Sequence, residues 1–203
     1  MFLRYILCAA AAYLLGSIST GVLLSRRLFH DDVRKHGSGG TGATNMLRTY
    51  RLKAALLTFA GDAAKAALAV LLGRYLAGFE GGCVAAVFAI VGHMWPLYFG
   101  FRGGKGILSG WFIAWTIDWR IGLLIGVVFF VTYLITKYVS LGSVLASITF
   151  AVGFAVFQHD HVYVMAGGIF MGALCVFMHR ANILRLIHGE ERKTNLFGKG
   201  NKS

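Results

Sequence analysis

The sequence predicts an all-α integral membrane protein, a seven-span helical bundle with one short span. Three observations lead there. Hydrophobic residues make up 57% of the chain and charged residues only 14%, against about 45–50% and about 25% in a soluble domain. Apolar runs recur at close to the ~17–25 residues a helix needs to cross a bilayer. The basic residues then gather on one side of the bundle those runs define, as cytoplasmic loops do.

The first run follows Arg4, continues from Tyr5 to Leu24 and ends in Arg26–Arg27. It reads as a retained span with a stop-transfer flank rather than a cleaved leader. Counting it, spans are expected near 3–24, 54–76, 83–100, 121–136, 139–157 and 162–178. A shorter run, 107–117 (ILSGWFIAWTI), is too short to cross as a straight helix at about 1.5 Å per residue. It either pairs with the flexible GGKG before it as a half-span or lies tilted inside the bundle. Taken as a crossing, with the N-terminus outside and the C-terminus cytoplasmic, it leaves only Arg4, Arg74, Arg120 and Lys65 off the inner side, out of 20 lysines and arginines. Lys65 lies within a span, three residues after Asp62. Each charge would cost about 2.5–3.5 kcal/mol near a helix centre, so the two are expected to pair as a structural ion pair, with a site-facing role the alternative. The chain reads as one domain over 1–203, with 191–203 a mobile basic tail able to touch anionic lipid.

Several classes fall away. The formal charge of +12 is spread over short loops, so nucleic acid is not an expected partner. Cys8, Cys83 and Cys175 sit in apolar runs as buried thiols, with no disulfide framework and no zinc spacing. His159 and His161, in the outer loop QHDH, are assigned to solvent. No metal or cofactor is expected. Gly103–Gly106 is not a nucleotide-binding loop, because Phe99 stands where that motif needs glycine and Gly106 where it needs Ser or Thr.

What remains is three polar, glycine-bearing clusters on the cytoplasmic side. The first, residues 35–48 (KHGSGGTGATNMLR), offers mobile backbone amides at Gly39 and Gly42 and neutral donors on Ser38, Thr41, Thr44 and Asn45. Arg48 adds a planar fork suited to phosphate. The second, 100–106 (GFRGGKG), presents Lys105 as a point charge on the bare backbone of Gly103 and Gly104. Arg102 is either a phosphate contact or an inside-rule residue, and His93 and Pro96 read as packing and a kink. In the third, 179–190 (HRANILRLIHGE), His179 and Asn182 share a helix face, with Arg185 and Glu190 nearby. Ser140 and Ser143, in YVSLGSV, either cap a helix or donate to a ligand.

Together these clusters resemble the bacterial membrane acyltransferase family that uses acyl phosphate to acylate glycerol 3-phosphate. Gly37–Arg48 (GSGGTGATNMLR) resembles GSGNxGATNxxR, Gly92–Gly106 resembles GHxxPxxxxFxGGKG, and the chain from His179 resembles HxxNxxRLxxGxE. GSIST at 16–20 and DAAK at 62–65 extend the likeness over nearly the whole chain. Departures are local: Gly40 replaces an asparagine, Ser19 a proline, and Leu108–Ser109 an Ala-Thr pair. The Gly40 change removes a donor from the loop and bears on substrate positioning.

The resemblance implies transfer of a fatty acyl group from acyl phosphate to the 1-hydroxyl of glycerol 3-phosphate. The products are lysophosphatidate and inorganic phosphate, made at the cytosolic face of a bacterial inner membrane. Ser38, Arg48, Lys105, Ser143, His179 and Asn182 would contact the substrate phosphates, with Arg48, Lys105 and His179 as the catalytic set. The donor is already activated, so no acyl-enzyme is required, and Ser38 as a nucleophile is the lesser option. His179 either takes the hydroxyl proton or holds phosphate while a substrate phosphate accepts it. No His is followed five residues on by the Asp of the coenzyme-A-type acyltransferase motif (HxxxxD). The rival reading is a transporter or flippase for a phosphorylated small molecule or lipid, although no inverted repeat is evident. Oligomeric state is not legible.

Overall fold

A computed structural model of the chain describes residues 2–194. All its regular elements are helices: α1 (Phe2–Gly16), α2 (Thr20–Phe29), α3 (Ala43–Met94), α4 (Ile107–Ile117), α5 (Trp119–Thr136), α6 (Val139–Phe157), α7 (Val162–Met178) and α8 (Arg180–Ile187). Short 3₁₀ turns lie at Val33–Lys35 and Leu97–Phe99.

The later elements coincide with expectation, and α4, α6 and α7 do so to the residue. The first half differs. The run expected over 3–24 breaks after Gly16 and resumes at Thr20. The expected 83–100 span ends as a helix at Met94, ahead of Pro96, whose ring cannot continue it. α3 is also not one rod. Arg51 (φ 68°) and Gly78 (φ 69°) leave helical geometry, and at Ala77–Gly78 the chain folds back on itself. Just beside that turn the two legs touch through Gly73 and Gly81. A Cβ on either would collide with the other's carbonyl oxygen.

α1 lies against both legs. Its Gly16 meets the Ala89 carbonyl so closely that a side chain would not fit, and Cys8 Sγ donates to Gly73 O at 3.7 Å. Small residues carry this contact: Ala12, Ala66, Ala69, Ala85, Ala86 and Ala89 are all buried. Larger side chains, such as Leu68, Leu71, Leu134, Ile135, Val152 and Val156, point outward and are exposed. Small residues inside and large apolar ones outside is the arrangement of helices packed in lipid, where close backbone approach drives association. Four stretches are long and apolar enough to cross a membrane: Phe2–Phe29, Ala43–Phe99, Trp119–Thr136 and Val139–Phe157. The pair α7 and α8, bent by 54°, makes a fifth if taken together.

α4 packs along α3 with its ends far apart in the bundle. Gly106, at its start, is against Met94 and Cys175. Thr116, near its end, accepts a hydrogen bond from Arg74 Nη2 at 2.7 Å, close to the Ala77–Gly78 turn.

Candidate active site

Where the loops converge, a cavity of about 440 Å³ is lined by residues from all three clusters, among them Ser38, Arg48, Lys105, Ser143, His179 and Asn182. Gly40, Gly42, Thr44 and Gly104 also line it.

Asn45 ties the first cluster. Its Nδ2 donates to the carbonyls of Val33, His36 and Gly40 at 2.8–3.1 Å, and its Oδ1 accepts from Ser38 N at 3.0 Å. Its amide is therefore spent on shaping the loop, with Gly37 at φ 58° making room for it. Asn45 still lines the cavity as expected, with its side chain committed to the loop around it. Thr41 is buried with its carbonyl against Gly21. Gly39 lines a separate depression of about 610 Å³ with Arg34, Lys35 and the exposed Arg102. None of these brings Thr41, Gly39 or Arg102 to the cavity wall. Asn45→Ala would leave Gly40 O and Ser38 N unmatched, at about 1–3 kcal/mol for each one that stays buried. Val33 O and His36 O would keep backbone donors in His36 N and Gly39 N. Amide exchange across residues 36–40 is expected to quicken at least ~10-fold in that variant, read by mass spectrometry.

The second cluster is zipped onto the end of α3. Gly103 N donates to Met94 O at 3.1 Å and Gly104 N to His93 O at 3.0 Å. A Cβ on Gly103 would strike the His93 carbonyl, and one on Gly104 the His93 ring at Nε2. Gly103 thus supports the loop, and the loop aims Lys105 Nζ at Asn182 Oδ1, 2.5 Å away. Burial first, then the nearby Arg185 and Arg48, against the opposing pull of Glu191, bring the Lys105 ammonium down to about 8.

The third cluster sits on the bend between α7 and α8, with His179 at the joint. His179 Nδ1 lies 2.8 Å from Cys175 O. A carbonyl only accepts, so Nδ1 carries the proton and Nε2 presents a lone pair. Asn182 accepts from Lys105 through Oδ1 and directs Nδ2 at both carboxylate oxygens of Glu191, each 3.3 Å away. Arg185 Nε donates to Glu191 Oε2 at 2.8 Å.

The acidic partner of this cluster is therefore Glu191. Glu190, expected in that place, is exposed, and the pattern counted from His179 indeed ends on Glu191. Residues 191–194, expected to open a mobile tail, are instead tied to the bundle. Glu191 and Thr194 are buried, Thr194 N donates to Lys137 O, and Arg48 Nη2 donates to Thr194 Oγ1. Residues 195–203 lie outside the described chain.

The wall also carries Asp62 and His93, expected as an ion-pair member and as packing, and Ser140, one of the two serines read as either a cap or a ligand donor. Asp62 and Lys65 form the expected ion pair, with Nζ 2.9 Å from Oδ1 but off hydrogen-bond alignment, and both are buried. Lys65 Nζ donates instead to Ile18 O at 2.7 Å and to His93 Nδ1 at 2.9 Å. The i,i+3 spacing in the sequence announces the pair, but nothing there tells which wall it faces. Ser140 and Ser143 do not cap α6, whose N-cap is Tyr138.

The chain matches the family model described as Glycerol-3-phosphate acyltransferase over residues 6–189. It is 39% identical over 189 residues to the glycerol-3-phosphate acyltransferase of Neisseria meningitidis serogroup B, covering 91% of this chain and 94% of that one. It is also 39% identical to the protein of that name from Thermoanaerobacter pseudethanolicus, covering 93% and 94%. Among solved structures it resembles PlsY (YgiH), an integral membrane glycerol 3-phosphate acyltransferase. The glycerol 3-phosphate form superposes with a TM-score of 0.86 at 32% identity, over 94% of this chain and 96% of that one. The lysophosphatidic acid form gives 0.82 at 30% identity, over 95% and 96%. With motif order, site geometry and near full-length likeness in agreement, this chain belongs to the glycerol-3-phosphate acyltransferase family.

Proposed function

We propose that the chain is a membrane acyltransferase that moves a fatty acyl group from acyl phosphate to the 1-hydroxyl of glycerol 3-phosphate, releasing lysophosphatidate and inorganic phosphate. One observation carries this reading: a single cavity joins a polar, cationic end to an apolar wall. Arg48 and Lys105 stand at the first, and Phe59, Trp111, Phe129 and Phe130 line the second. A phosphate head and an acyl tail need these two environments side by side.

Both substrates carry phosphate, so the site has to hold two anions close together. Arg48 and Lys105 supply the compensating field, which is stronger where lipid and protein exclude water. Ser38, Ser143 and Asn182 add neutral donors, and the amides at Gly40 and Gly42 complete the cradle. His179 Nε2, with its lone pair free, accepts a hydroxyl proton or a hydrogen bond from it. The mixed anhydride is already activated, so direct attack by the glycerol hydroxyl needs no enzyme nucleophile.

The sidedness follows from the basic residues. Seven passes, with α4 as the short crossing, put the N-terminus outside, the C-terminus inside and the cavity mouth at the cytosolic face of a bacterial inner membrane. The α3 turn and the end-to-end placement of α4 support that count.

The test uses purified protein in liposomes with glycerol 3-phosphate and either palmitoyl phosphate or palmitoyl coenzyme A, products resolved by mass. Lysophosphatidate is expected from the acyl phosphate alone. Product from the coenzyme A ester alone would keep acyl transfer and overturn the donor. Folded protein making product from neither would bring the transport reading forward.

A further inference from the structure

His93 lines the cavity with a tautomer opposite to that of His179. Its Nδ1 lies 2.9 Å from Lys65 Nζ. An ammonium has hydrogens and no acceptor, so Nδ1 has to be the lone-pair nitrogen. The proton of the neutral ring is therefore on Nε2. Lys65 holds this state firmly, since its Nζ also donates to Ile18 O at 2.7 Å and pairs with Asp62 at 2.9 Å. Asp62 Oδ1 is 3.8 Å from His93 Nδ1, too far to draw a proton onto it past the intervening ammonium. These are the charged groups that face the ring; the Gly103–Gly106 loop brings only backbone against it.

Nε2 lies against Gly104, the residue before Lys105, and makes no hydrogen bond among the described residues. A donor on a nearly buried ring (5% exposed), on the wall of a reaction cavity, has a ligand atom as its natural partner. The phosphates already have Arg48, Lys105 and the loop amides. The acyl carbonyl oxygen is the one reacting atom without an assigned donor.

We propose that His93 is a catalytic residue, its Nε2–H donating a hydrogen bond to the acyl carbonyl oxygen, and that Lys65 is the positioning residue that fixes its tautomer. This rests on the acyl-transfer reading above. The glycerol hydroxyl oxygen bonds to the acyl carbon and the carbonyl π pair moves to oxygen, giving a tetrahedral oxyanion that accepts the Nε2–H bond. No proton leaves His93. The oxyanion then reforms the carbonyl and expels phosphate, and the hydroxyl proton leaves on His179 or on a phosphate oxygen. The cavity thus holds one imidazole as hydrogen-bond donor and one as acceptor, each fixed by a different partner.

Three variants in liposomes test this: His93→Ala, His93→Gln and His93→Phe, alongside the wild type. Loss of one such donor costs about 10²–10³ in kcat. His93→Ala and His93→Phe are expected to fall by that much, with glycerol 3-phosphate affinity, measured by direct binding, within about threefold of wild type. His93→Gln, which keeps an N–H near Nε2, is expected to recover at least tenfold. Nitrogen-15 spectra of histidine-labelled protein, assigned through His93→Gln, should show His93 protonated at Nε2 and His179 at Nδ1. Full turnover in folded His93→Ala, a defect confined to substrate affinity, or a His93 protonated at Nδ1 would each overturn the proposal. A wild type inactive with acyl phosphate would instead overturn the acyl-transfer reading, so the two failures are distinct.

Discussion

Lys105→Ala is expected to lower turnover about 10³-fold or more while the protein still inserts and folds. An oxyanion donor alone is worth about 10²–10³, and Lys105 carries a full charge in a partly buried place. Its stem is not part of the bundle core, so the fold does not depend on it. Its Nζ contacts Asn182 Oδ1, and removing it frees Asn182 rather than stranding a buried charge. Arg48→Ala is expected to act in the same direction.

The ammonium also gives a pH signature. With the Lys105 group brought down to about 8 in the free protein, kcat/KM for glycerol 3-phosphate is expected to hold below that pH and fall above it, as the charged form is lost. Bound phosphate favours the ammonium, so kcat should stay level to a higher pH than kcat/KM. Lys105→Arg, always charged, should lose the fall while keeping part of the activity. Wild-type turnover in well-folded Lys105→Ala would remove this residue from the site.

Much of this site is legible in the sequence because its chemistry is carried by residue types that a membrane segment tolerates poorly. Lys105, Arg48, His179 and Asn182 stand out against apolar neighbours, and the structure brings all four to one cavity. Span ends were legible where a helix runs uninterrupted, as in α6 and α7. They were not where the chain bends for a tertiary reason. The break at Ser17–Ile18–Ser19 has no proline to mark it. It exists where a freed carbonyl, that of Ile18, meets the Lys65 ammonium of another helix. Asn45 shows a different limit. Its residue type suits both ligand binding and loop shaping, and only its four hydrogen bonds tell which it does. His93 read as packing because a histidine's donor side depends on a partner 28 residues away.

Lys65→Met should be the most destabilising single change outside the cavity's cationic set, at about 3–5 kcal/mol, the usual cost of breaking a buried pair from one side. Lys65 is 6% exposed and Asp62 2%, so the remaining carboxylate would have neither water around it nor a cation beside it. Ile18 O would lose its donor at the α1–α2 break, and His93 Nδ1 would face Asp62 with no ammonium between them. The carboxylate would then draw a proton onto the ring, charging it or reversing its tautomer. Removing both charges, in Asp62→Asn with Lys65→Met, is expected to recover most of the stability, because two neutral groups of similar size replace one stranded charge. Unfolding in detergent, followed by cysteine accessibility at the buried Cys8 and Cys175, would measure both variants. If Lys65→Met were as stable as the wild type, the pair would be a solvated surface contact and the break at Ile18 would need another cause. If it were unstable and the double variant equally so, the ammonium's bonds to Ile18 and His93, rather than its charge pairing, would hold α1 to α3.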